Sequence, residues 1–513
     1  MTASLPVMLS PDPLTPAQVV AVARHGARAE LTGQALDAIV RGADLIAALG
    51  DDPEPHYGVS TGFGALATRE IPAGLRRELQ HNVVRSHAAS SGPPVEAEVV
   101  RAMMVLRLAT LATGRTGVTA ATAEAYAALL NAGITPMVGE YGSLGCSGDL
   151  APLAHCALAV MGEGEALGPH GEPIPVAQML ADAGLAPVSL APKEGLALIN
   201  GTDGMLGMLL LALADLEGLL DIADVAAALS VEASSGSAAV FAPHIQVLRP
   251  YPGQGASARR IAGLVAGSQI LAHHRDAAAE RVQDAYSLRC APQVHGAARE
   301  VLGFAAHVAG TELASAIDNP VITDLGTLES NGNFHGAPVA YALDMLAIPV
   351  ADVASMSERR TDRLLDVTRN HGLPAFLAHD PGLHSGLMIA HYTAASLVSE
   401  LKRVAVPASV DSIPSSAMQE DHVSMGWAAG RKLRRAVDGL GRVLAIEILT
   451  AARGIDLRAP LQPGDGAARV VAAVREAAGG PGPDRYLAPD IEAVHRLVRD
   501  GTLARAAGGD GTR

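Results

Sequence analysis

The chain has 513 residues and a formal net charge of −15 at pH 7, and although 49% of its residues are hydrophobic, only 3% are aromatic. This acidic balance, without a long basic run, argues against a nucleic acid or an anionic membrane surface as a partner. A core built mainly from alanine, leucine, valine and isoleucine favours closely packed helices over aromatic-rich β-sandwiches.

The residues that commonly bind cofactors are scarce. The 3 cysteines and the scattered histidines lack the spacing of a disulfide framework or a zinc site, so no metal is predicted. Pyridoxal phosphate needs a Schiff-base lysine, and the lysines here are Lys193, Lys402 and Lys432, none of them in a Gly/Ser-rich phosphate-binding setting. We therefore expect no external cofactor, so that any cofactor is made from the chain itself.

Signals for export or membrane insertion are also missing from the sequence. Residues 1–18 contain no basic residue and no sustained apolar run, which is unlike a signal peptide. No segment offers about 18 uninterrupted apolar residues, the length needed to span a bilayer. These features predict a soluble cytoplasmic protein.

The N-terminal region combines helical patterns with glycine-rich loops. Apolar spacing predicts two short amphipathic helices between residues 16 and 41. The next loop, Tyr57–Gly64, reads Tyr-Gly-Val-Ser-Thr-Gly-Phe-Gly, and a tyrosine at its start would by itself be an ordinary surface ring. The stretch Leu79–Ser91 contains His87, which by itself would more often be a structural histidine than a functional one.

The stretch Gly142–His155 joins a loop of glycines and small residues to a helix start. We expect Asp149 to cap this helix and Pro152 to lie in its first turn, with an apolar stripe that ends near Gly162. The tripeptide Cys146–Gly148 would then lie at the positive end of a helix dipole. Unpaired backbone N–H groups stabilise developing negative charge there, so the loop is a plausible place for an electrophile.

Three other interpretations of this loop are open from its residues alone. The nucleophile elbow of hydrolases needs Gly-x-Ser-x-Gly, and the segment Gly145–Asp149 lacks the last glycine. Cys146 and His155 form a conceivable thiol–base pair, although a histidine two turns into the helix is poorly placed to reach the thiol. The third interpretation is a glycine-rich loop before an ordinary helix.

Long helical patterns dominate the second half of the chain. Apolar residues recur at helical spacing from Gly204 to about Val240, from Ser257 to Val282, and from Val339 to Met356. No strand alternation is sustained over several elements. We therefore predict an all-α protein: a smaller N-terminal helical and loop region, residues 1–200, that carries the loops above, and a long central helical bundle with a C-terminal helical region, residues 201–513.

Polar residues with binding potential lie in separate segments. Asn200, an amide after an apolar run, can donate to a carboxylate. Arg289 is suited to clamp a carboxylate through two parallel hydrogen bonds, and Tyr286 lies within one turn of it if the segment is helical. Phe334 lies in a glycine-rich turn, and Glu420 begins an acidic pair. Each of these would, alone, be an ordinary turn residue or part of a solvated polar face.

Taken in order, the segments between Tyr57 and Gly426 resemble the signatures of the family of histidine and aromatic amino-acid ammonia-lyases. In that family an internal Ala-Ser-Gly cyclises by itself into 4-methylidene-imidazol-5-one (MIO). The resemblance implies that the amide nitrogen of Gly148 attacks the carbonyl carbon of Cys146 and that Ser147 then loses its hydroxyl, with two waters released in all. Cys146 stands where alanine is commoner, but only its backbone carbonyl carbon enters the ring, so cyclisation is expected to survive.

The resemblance also implies roles for other residues. It makes Tyr57 the base that removes the β-proton of the substrate, with Tyr286 assisting, and a tyrosine base needs a pKa lowered from the usual value of about 10. The substrate-binding residues that it implies are His87, Asn200, Gln283, Arg289, Phe334 and Glu420. It further implies a homotetramer in which each active site combines loops from three subunits.

The residues expected to contact the substrate ring bear on its identity. The pair Ser86–His87 and the carboxylate of Glu420 resemble those of family members that act on histidine, because a carboxylate can accept an imidazole N–H that a phenyl ring lacks. We therefore expect conversion of L-histidine to trans-urocanate and ammonia. Three alternatives stay open: a tyrosine or phenylalanine ammonia-lyase or aminomutase, a fumarase-like helical lyase without MIO, and a catalytically silent helical scaffold.

Overall fold

The structure, a computed structural model, describes residues 5–50, 52, 54–273 and 282–508. These residues form 20 α-helices and a few short strands, which confirms the predicted all-α class. The helices are α1 Pro16–His25, α2 Gly33–Gly50, α3 Arg76–His87, α4 Ala97–Ala112, α5 Ala120–Asn131, α6 Leu150–Val160, α7 Val176–Asp182, α8 Glu194–Ile199, α9 Asp203–Ala233, α10 Pro243–Gln246, α11 Pro252–Leu264, α12 Gln269–His273, α13 Tyr286–Arg289, α14 Ala291–Leu313, α15 Ala337–Leu365, α16 Met388–Val404, α17 Gly426–Asp456, α18 Asp465–Ala478, α19 Ala488–Arg499 and α20 Thr502–Ala506.

The strands form four separate two-stranded pairs, of which the first is parallel and the others antiparallel. They are β1 Val7–Leu9 with β2 Ala29–Leu31, β3 Ser91–Pro94 with β4 Gly139–Tyr141, β5 Glu165–Leu167 with β6 Pro173–Pro175, and β7 Val321–Ile322 with β8 Leu328–Glu329. Such short pairs fasten loops between helices, as β4 does where it leads into the 142–149 loop.

The helix predictions hold in part. The two helices expected between residues 16 and 41 are α1 and α2, although α2 continues to Gly50. In the described residues, the helical spacing between Ser257 and Val282 corresponds to two helices rather than one long helix. There α11 ends at Leu264 and α12 begins at Gln269, because the chain turns through Gly267 with a φ of 76°. Residues 274–281 of that prediction lie outside the described residues.

The chain divides into two compact units. Unit 1 combines Met1–Leu211, Ala306–Asp344 and Pro407–Arg431, and unit 2 combines Ala212–Ala305, Met345–Val406 and Lys432–Arg513. The division into residues 1–200 and 201–513 concerned continuous sequence regions and stays a prediction.

Three mutually packed helices of unit 1 begin or end at, or next to, residues that were singled out in the sequence. Helices α3, α6 and α8 each pack against the other two. α3 ends at His87, α6 begins directly after Asp149, and α8 ends directly before Asn200. All residues of the short helix α8 are buried, because its sequence Glu-Gly-Leu-Ala-Leu-Ile is small and apolar after the first position. These site residues therefore extend from rigid supports.

The core of unit 2 contains buried ion pairs between long helices. Arg360 on α15 and Glu447 on α17 are fully buried, and Arg360 Nε donates to Glu447 Oε1 at 2.5 Å. The hydroxyl of Ser230 on α9 donates to the same oxygen at 2.6 Å. His295 Nδ1 on α14 lies 2.7 Å from Asp224 Oδ1 on α9. Each of the two buried carboxylates, Glu447 and Asp224, thus has a polar partner within the core.

One described helix, α15, is long and apolar enough to cross a membrane by length and composition alone. However, 61% of its most apolar 18-residue window is buried inside the protein. The mostly buried core helix of a globular protein passes the same test of length and composition.

The Arg360–Glu447 pair leads to a test of stability. Replacing Arg360 with methionine leaves the Glu447 carboxylate buried without its cation, and we expect a loss of about 3–5 kcal/mol in the free energy of unfolding. Urea denaturation followed by circular dichroism measures it. The matched control is Arg403→Met, whose side chain is 72% exposed beside Glu400 and should cost less than about 1 kcal/mol. Equal losses in the two variants would contradict the importance of the buried pair.

Candidate active site

The loop at residues 142–149 of unit 1 is held by two segments that are remote in the sequence. The carbonyl oxygen of Gly145 accepts a hydrogen bond from Ser424 Oγ at 2.8 Å and from the N–H of Gly336 at 3.3 Å. The carbonyl oxygen of Leu144 accepts from the N–H of Met425 at 2.8 Å. The structure thus brings together three motifs that the sequence analysis considered separately.

The other end of the loop lies directly against the segment after α8. Gly148 has a φ of 71° and forms a bridge with Gly201, and the N–H of Asp149 donates to the carbonyl oxygen of Gly201 at 2.7 Å. A Cβ atom on Gly148 would lie 2.0 Å from that same oxygen, so a larger residue does not fit. Attack by the Gly148 nitrogen on the Cys146 carbonyl carbon requires a compact turn, and the backbone at Gly148 is compatible with such a turn.

Asp149 differs from its predicted role. It does precede the first residue of α6, but its side chain makes no capping bond to that helix. Instead, one carboxylate oxygen accepts from the N–H of Met205 in the first turn of α9 at 2.8 Å, and the other accepts from Ser143 Oγ at 2.9 Å. The side chain faces the buried start of α9 rather than its own helix, where it satisfies an N–H that has no partner within α9. Its complete burial raises the pKa of Asp149 to about 7.

Asn200 directly follows α8, and one of its side-chain atoms has no hydrogen-bond partner within the described residues. Its Nδ2 donates to the carbonyl oxygen of Asn319 at 3.2 Å. Its Oδ1 is buried and has no hydrogen-bond partner within the described protein. A buried amide oxygen without a partner is costly, which favours a donor supplied by a bound molecule.

The negative charge of Glu420 acts to raise the pKa of both Tyr57 and His87. Burial raises the pKa of Tyr57; the N–H of Gly64, which donates to Tyr57 Oη at 3.1 Å, opposes this rise, and the charge of Glu420 adds to it. Burial lowers the pKa of His87, against the opposing effects of the Val83 carbonyl and of Glu420. The lowered pKa expected for a tyrosine base is not present in the described chain, because loss of hydration outweighs the hydrogen bond.

Glu420 also influences Cys146, which places these side chains in one neighbourhood of unit 1. The Oε2 atom of Glu420 is buried and has no hydrogen-bond partner in the described residues. This carboxylate oxygen is therefore available to accept a hydrogen bond from a ligand, and leaving it unpaired would be unfavourable.

The structure weakens the interpretation of Cys146 as a thiol nucleophile. Burial raises the pKa of the Cys146 thiol, so the unreactive protonated form is favoured. His155 Nε2 already accepts a hydrogen bond from the N–H of Ser90 at 3.3 Å. The proposed base is thus bound elsewhere. Ser147, between Cys146 and Gly148, is half-buried.

The turn that carries Phe334 lies beside the segment that carries Glu420. The imidazole of His335 stacks on that of His422, with ring centroids 5.7 Å apart and an interplanar angle of 1°. Phe334 itself is half-buried. The stacked rings therefore join two motifs of the predicted site directly.

The remaining predicted residues belong to unit 2. The guanidinium of Arg289 lies over the ring of Tyr286, 4.5 Å from its centroid, and the Tyr286 side chain is 70% exposed. Arg289 Nε is buried without a hydrogen-bond partner in the described part of the chain. Gln283 is exposed in a bend before α13. The cation–π contact keeps the Arg289 guanidinium in place while leaving that nitrogen free to bind an anion. The roles of all the site residues stay predictions.

Ser143 and Ser424 were not singled out in the sequence, although both fix the 142–149 loop. A serine among glycines gives no local signal for a bond to a distant carbonyl. In the described residues, no group of three or more histidine, cysteine, aspartate or glutamate side chains is arranged to hold a metal ion.

Comparison with known proteins relates this geometry to a family. Residues 14–476 match the family described as aromatic amino acid lyase. The chain is 61% identical to the histidine ammonia-lyase of Streptomyces avermitilis, with 98% of each chain covered, and 49% identical to that of Gloeobacter violaceus, with 95% of each covered. The crystal structure of histidine ammonia-lyase from Trypanosoma cruzi superposes with a TM-score of 0.90 at 39% identity, covering 98% of this chain and 95% of that one. Tyrosine aminomutase from Streptomyces globisporus gives a TM-score of 0.93 at 36% identity, covering 99% of each.

The raised pKa of Asp149 predicts a pH dependence of stability. The folded protein binds this proton up to about pH 7, whereas the unfolded chain releases it near pH 4, so stability falls as the pH rises between these values and is level above. In Asp149→Asn this contribution is absent. The free energy of unfolding of the variant minus that of the wild type should therefore rise between pH 4 and pH 7 by up to about 4 kcal/mol, at 1.36 kcal/mol per pKa unit. Urea denaturation over this range measures the difference, and a constant difference would contradict the raised pKa.

Proposed function

The chain belongs to the aromatic amino acid lyase family, and we propose that it is the member that removes ammonia from L-histidine without oxidation and releases trans-urocanate. The single observation that carries the choice of substrate is the buried, unpartnered Oε2 atom of Glu420, which lies in the neighbourhood of His87 and Cys146. An imidazole N–H can satisfy this oxygen, and a phenyl ring cannot. Relatives named histidine ammonia-lyase at 47% to 61% identity support the same choice.

We propose that the electrophile is the MIO group, made from Cys146, Ser147 and Gly148 without an external cofactor. Its formation joins the Gly148 nitrogen to the Cys146 carbonyl carbon, and two waters leave, one of them with the Ser147 hydroxyl. The fit of this tripeptide is supported by the bonds that fasten both ends of the loop and by the absence of space for a Cβ atom on Gly148. When formed, the group supplies an electrophilic methylidene carbon that makes the substrate amine a better leaving group.

The proposed roles of His87 and Glu420 concern the imidazole of the substrate. Burial lowers the pKa of His87, so its ring is neutral near pH 7. A neutral His87 ring can donate a hydrogen bond to the substrate imidazole or accept one from it, without charge repulsion. Glu420 accepts the N–H of the substrate ring. Phe334 and Gln283 are proposed to line the remainder of the site.

The carboxylate and the β-proton of the substrate need separate groups. Arg289 is proposed to clamp the carboxylate with two parallel hydrogen bonds. The Nδ2 group of Asn200 has two hydrogens, and the one not directed at the Asn319 carbonyl oxygen is proposed to donate to the same carboxylate. Tyr57, assisted by Tyr286, is proposed to remove the β-proton as a tyrosinate. The N–H that Gly64 donates to Tyr57 Oη stabilises that anion and offsets part of the rise in pKa that burial causes.

The assembly and location of the enzyme are also proposals. We propose a homotetramer whose active sites each combine loops from three subunits, and a cytoplasmic location. The main alternative is a tyrosine or phenylalanine ammonia-lyase or aminomutase, since a tyrosine aminomutase shares the fold at 36% identity. Glu420 and His87 together argue against that alternative. A phenyl ring has no donor for the Glu420 carboxylate, and the pair Ser86–His87 resembles that of family members that act on histidine rather than on tyrosine.

Mass spectrometry of the native protein tests the electrophile. The peptide that contains Cys146–Gly148 should be lighter by the mass of two waters, provided that the digest does not rehydrate the ring. Ser147→Ala lacks the hydroxyl whose loss creates the methylidene carbon, so this variant should fold but lose both the ring and detectable deamination of L-histidine. The exposed Ser91→Ala serves as the control and should keep both. An unmodified wild-type peptide would exclude the proposed mechanism.

Substitution of Glu420 tests the substrate. Glu420→Gln removes a charged acceptor, and a hydrogen bond to a charged group contributes about 1.5–3 kcal/mol. We therefore expect kcat/KM for L-histidine to fall by about 10- to 100-fold, with the thermal unfolding midpoint unchanged. The control is the neighbouring exposed residue in Asp421→Asn, which should keep wild-type kinetics. Unchanged kinetics in Glu420→Gln would remove this residue from imidazole binding.

A further inference from the structure

Arg107 is a buried arginine outside the residues discussed so far. It lies on α4, among apolar residues of unit 1, and its side chain is fully buried. Its Nη1 atom donates to the carbonyl oxygens of Asn200 at 2.6 Å and Ala197 at 3.3 Å, and its Nη2 atom donates to that of Ile317 at 2.8 Å. One guanidinium thus fastens two backbone segments that are far apart in the sequence.

Both segments determine how Asn200 is held. Arg107 binds the backbone of Asn200 directly. Ile317 lies two residues before Asn319, whose carbonyl oxygen accepts the Asn200 side-chain amide at 3.2 Å. Arg107 therefore fixes both the backbone from which this amide extends and the segment that orients it.

Arg107 also lies against the segment that supports the ring-forming turn. A Cβ atom on Gly201 would lie 2.8 Å from Arg107 Nη2, so no side chain separates Gly201 from the guanidinium. Gly201 in turn forms the bridge with Gly148 and accepts the N–H of Asp149 at 2.7 Å. Contacts run from Arg107 through Gly201 to Gly148, so a shift of the guanidinium is transmitted to the turn.

The charge of Arg107 is largely offset within the core. Its Nε atom lies 3.4 Å from Asp203 Oδ2, an ion pair without the geometry of a hydrogen bond, and Asp203 is only 5% exposed. Opposite charges this close cancel most of their field at the active site, so the directed hydrogen bonds of the guanidinium remain as its main influence.

We propose that Arg107 is a positioning residue that holds Asn200 and Gly201 in the geometry required for MIO formation and for binding of the substrate carboxylate. This inference rests on the proposed function. It adds an arginine that touches neither the substrate nor the ring and acts through the two backbone segments it binds.

The experiment separates positioning from stability with a set of variants of the full chain. Arg107→Met alone leaves Asp203 buried without its cation, so it is paired with Arg107→Met/Asp203→Asn, which removes both charges. Arg107→Lys keeps the charge but lacks the planar fork that reaches both Asn200 and Ile317. The matched control is Arg101→Met on the same helix, because Arg101 donates to the carbonyl oxygens of Leu130 at 3.2 Å and Val22 at 2.9 Å, outside the proposed site.

Three quantities are measured for each protein: the mass of the Cys146–Gly148 peptide, the thermal unfolding midpoint, and kcat and KM for L-histidine. We expect the double variant to recover most of the midpoint lost by Arg107→Met, yet to cyclise incompletely and to lose about a hundredfold in kcat, with a higher KM. Arg107→Lys should lower the midpoint less than Arg107→Met, because it keeps the charge but leaves a buried carbonyl unpaired, with a smaller loss of kcat than the double variant and a raised KM. Arg101→Met should retain the ring and wild-type kinetics.

Two results would overturn the inference while leaving the proposed function in place. One is complete cyclisation with wild-type kcat and KM in Arg107→Lys or the double variant. The other is a recovery of kcat in proportion to the midpoint, which indicates a purely structural role. A wild-type protein without the ring would overturn the proposed function and this inference together.

Discussion

The arrangement of unit 1 depends on the close approach of two backbone segments at Gly148 and Gly201. Since neither position has space for a side chain, the N–H of Asp149 reaches the Gly201 carbonyl oxygen at 2.7 Å. The consequence extends to three helices: α6 begins after Asp149, α8 ends two residues before Gly201, and the Asp149 carboxylate accepts an N–H from the first turn of α9. A single contact between two glycines thus sets the relative positions of three helix ends.

Burial controls the ionisation of this region more than individual charges do. Loss of hydration is the largest influence on the pKa values of Tyr57, His87 and Cys146, and in each case it favours the neutral form. Because these neighbouring side chains are neutral, the unpartnered oxygen of Glu420 depends on the ligand for a hydrogen-bond donor. A substrate ring without a hydrogen-bond donor, such as a phenyl ring, leaves this buried oxygen unsatisfied, at a cost of about 1–3 kcal/mol or more for a charged group. Selectivity against such a ligand then arises largely from this penalty.

Local patterns in the sequence were enough for the helical class, for α1 and α2, and for the first residue of α6, because periodicity and helix starts depend on neighbouring residues. They did not reveal the partner of Asp149, which lies 56 positions away at Met205, nor the bonds of Arg107 to carbonyl groups 93 and 210 positions away. A signal for Arg107 was present, since an arginine within the apolar run of α4 needs a buried partner. The roles of Gln283, Tyr286 and Arg289 come from family resemblance, because their spacing alone indicates only a polar helix face.

The bond between Ser424 and the Gly145 carbonyl oxygen joins residues 279 positions apart. A nascent chain cannot restrain the 142–149 loop from both ends until the segment around Ser424 has been synthesised and has folded onto it. The proposed electrophile is therefore generated after the tertiary structure, and a truncated or misfolded chain carries an inert serine instead of a reactive carbon. If the proposed ring forms in this way, its covalent bonds would be a chemical record that the chain has reached its native state at least once.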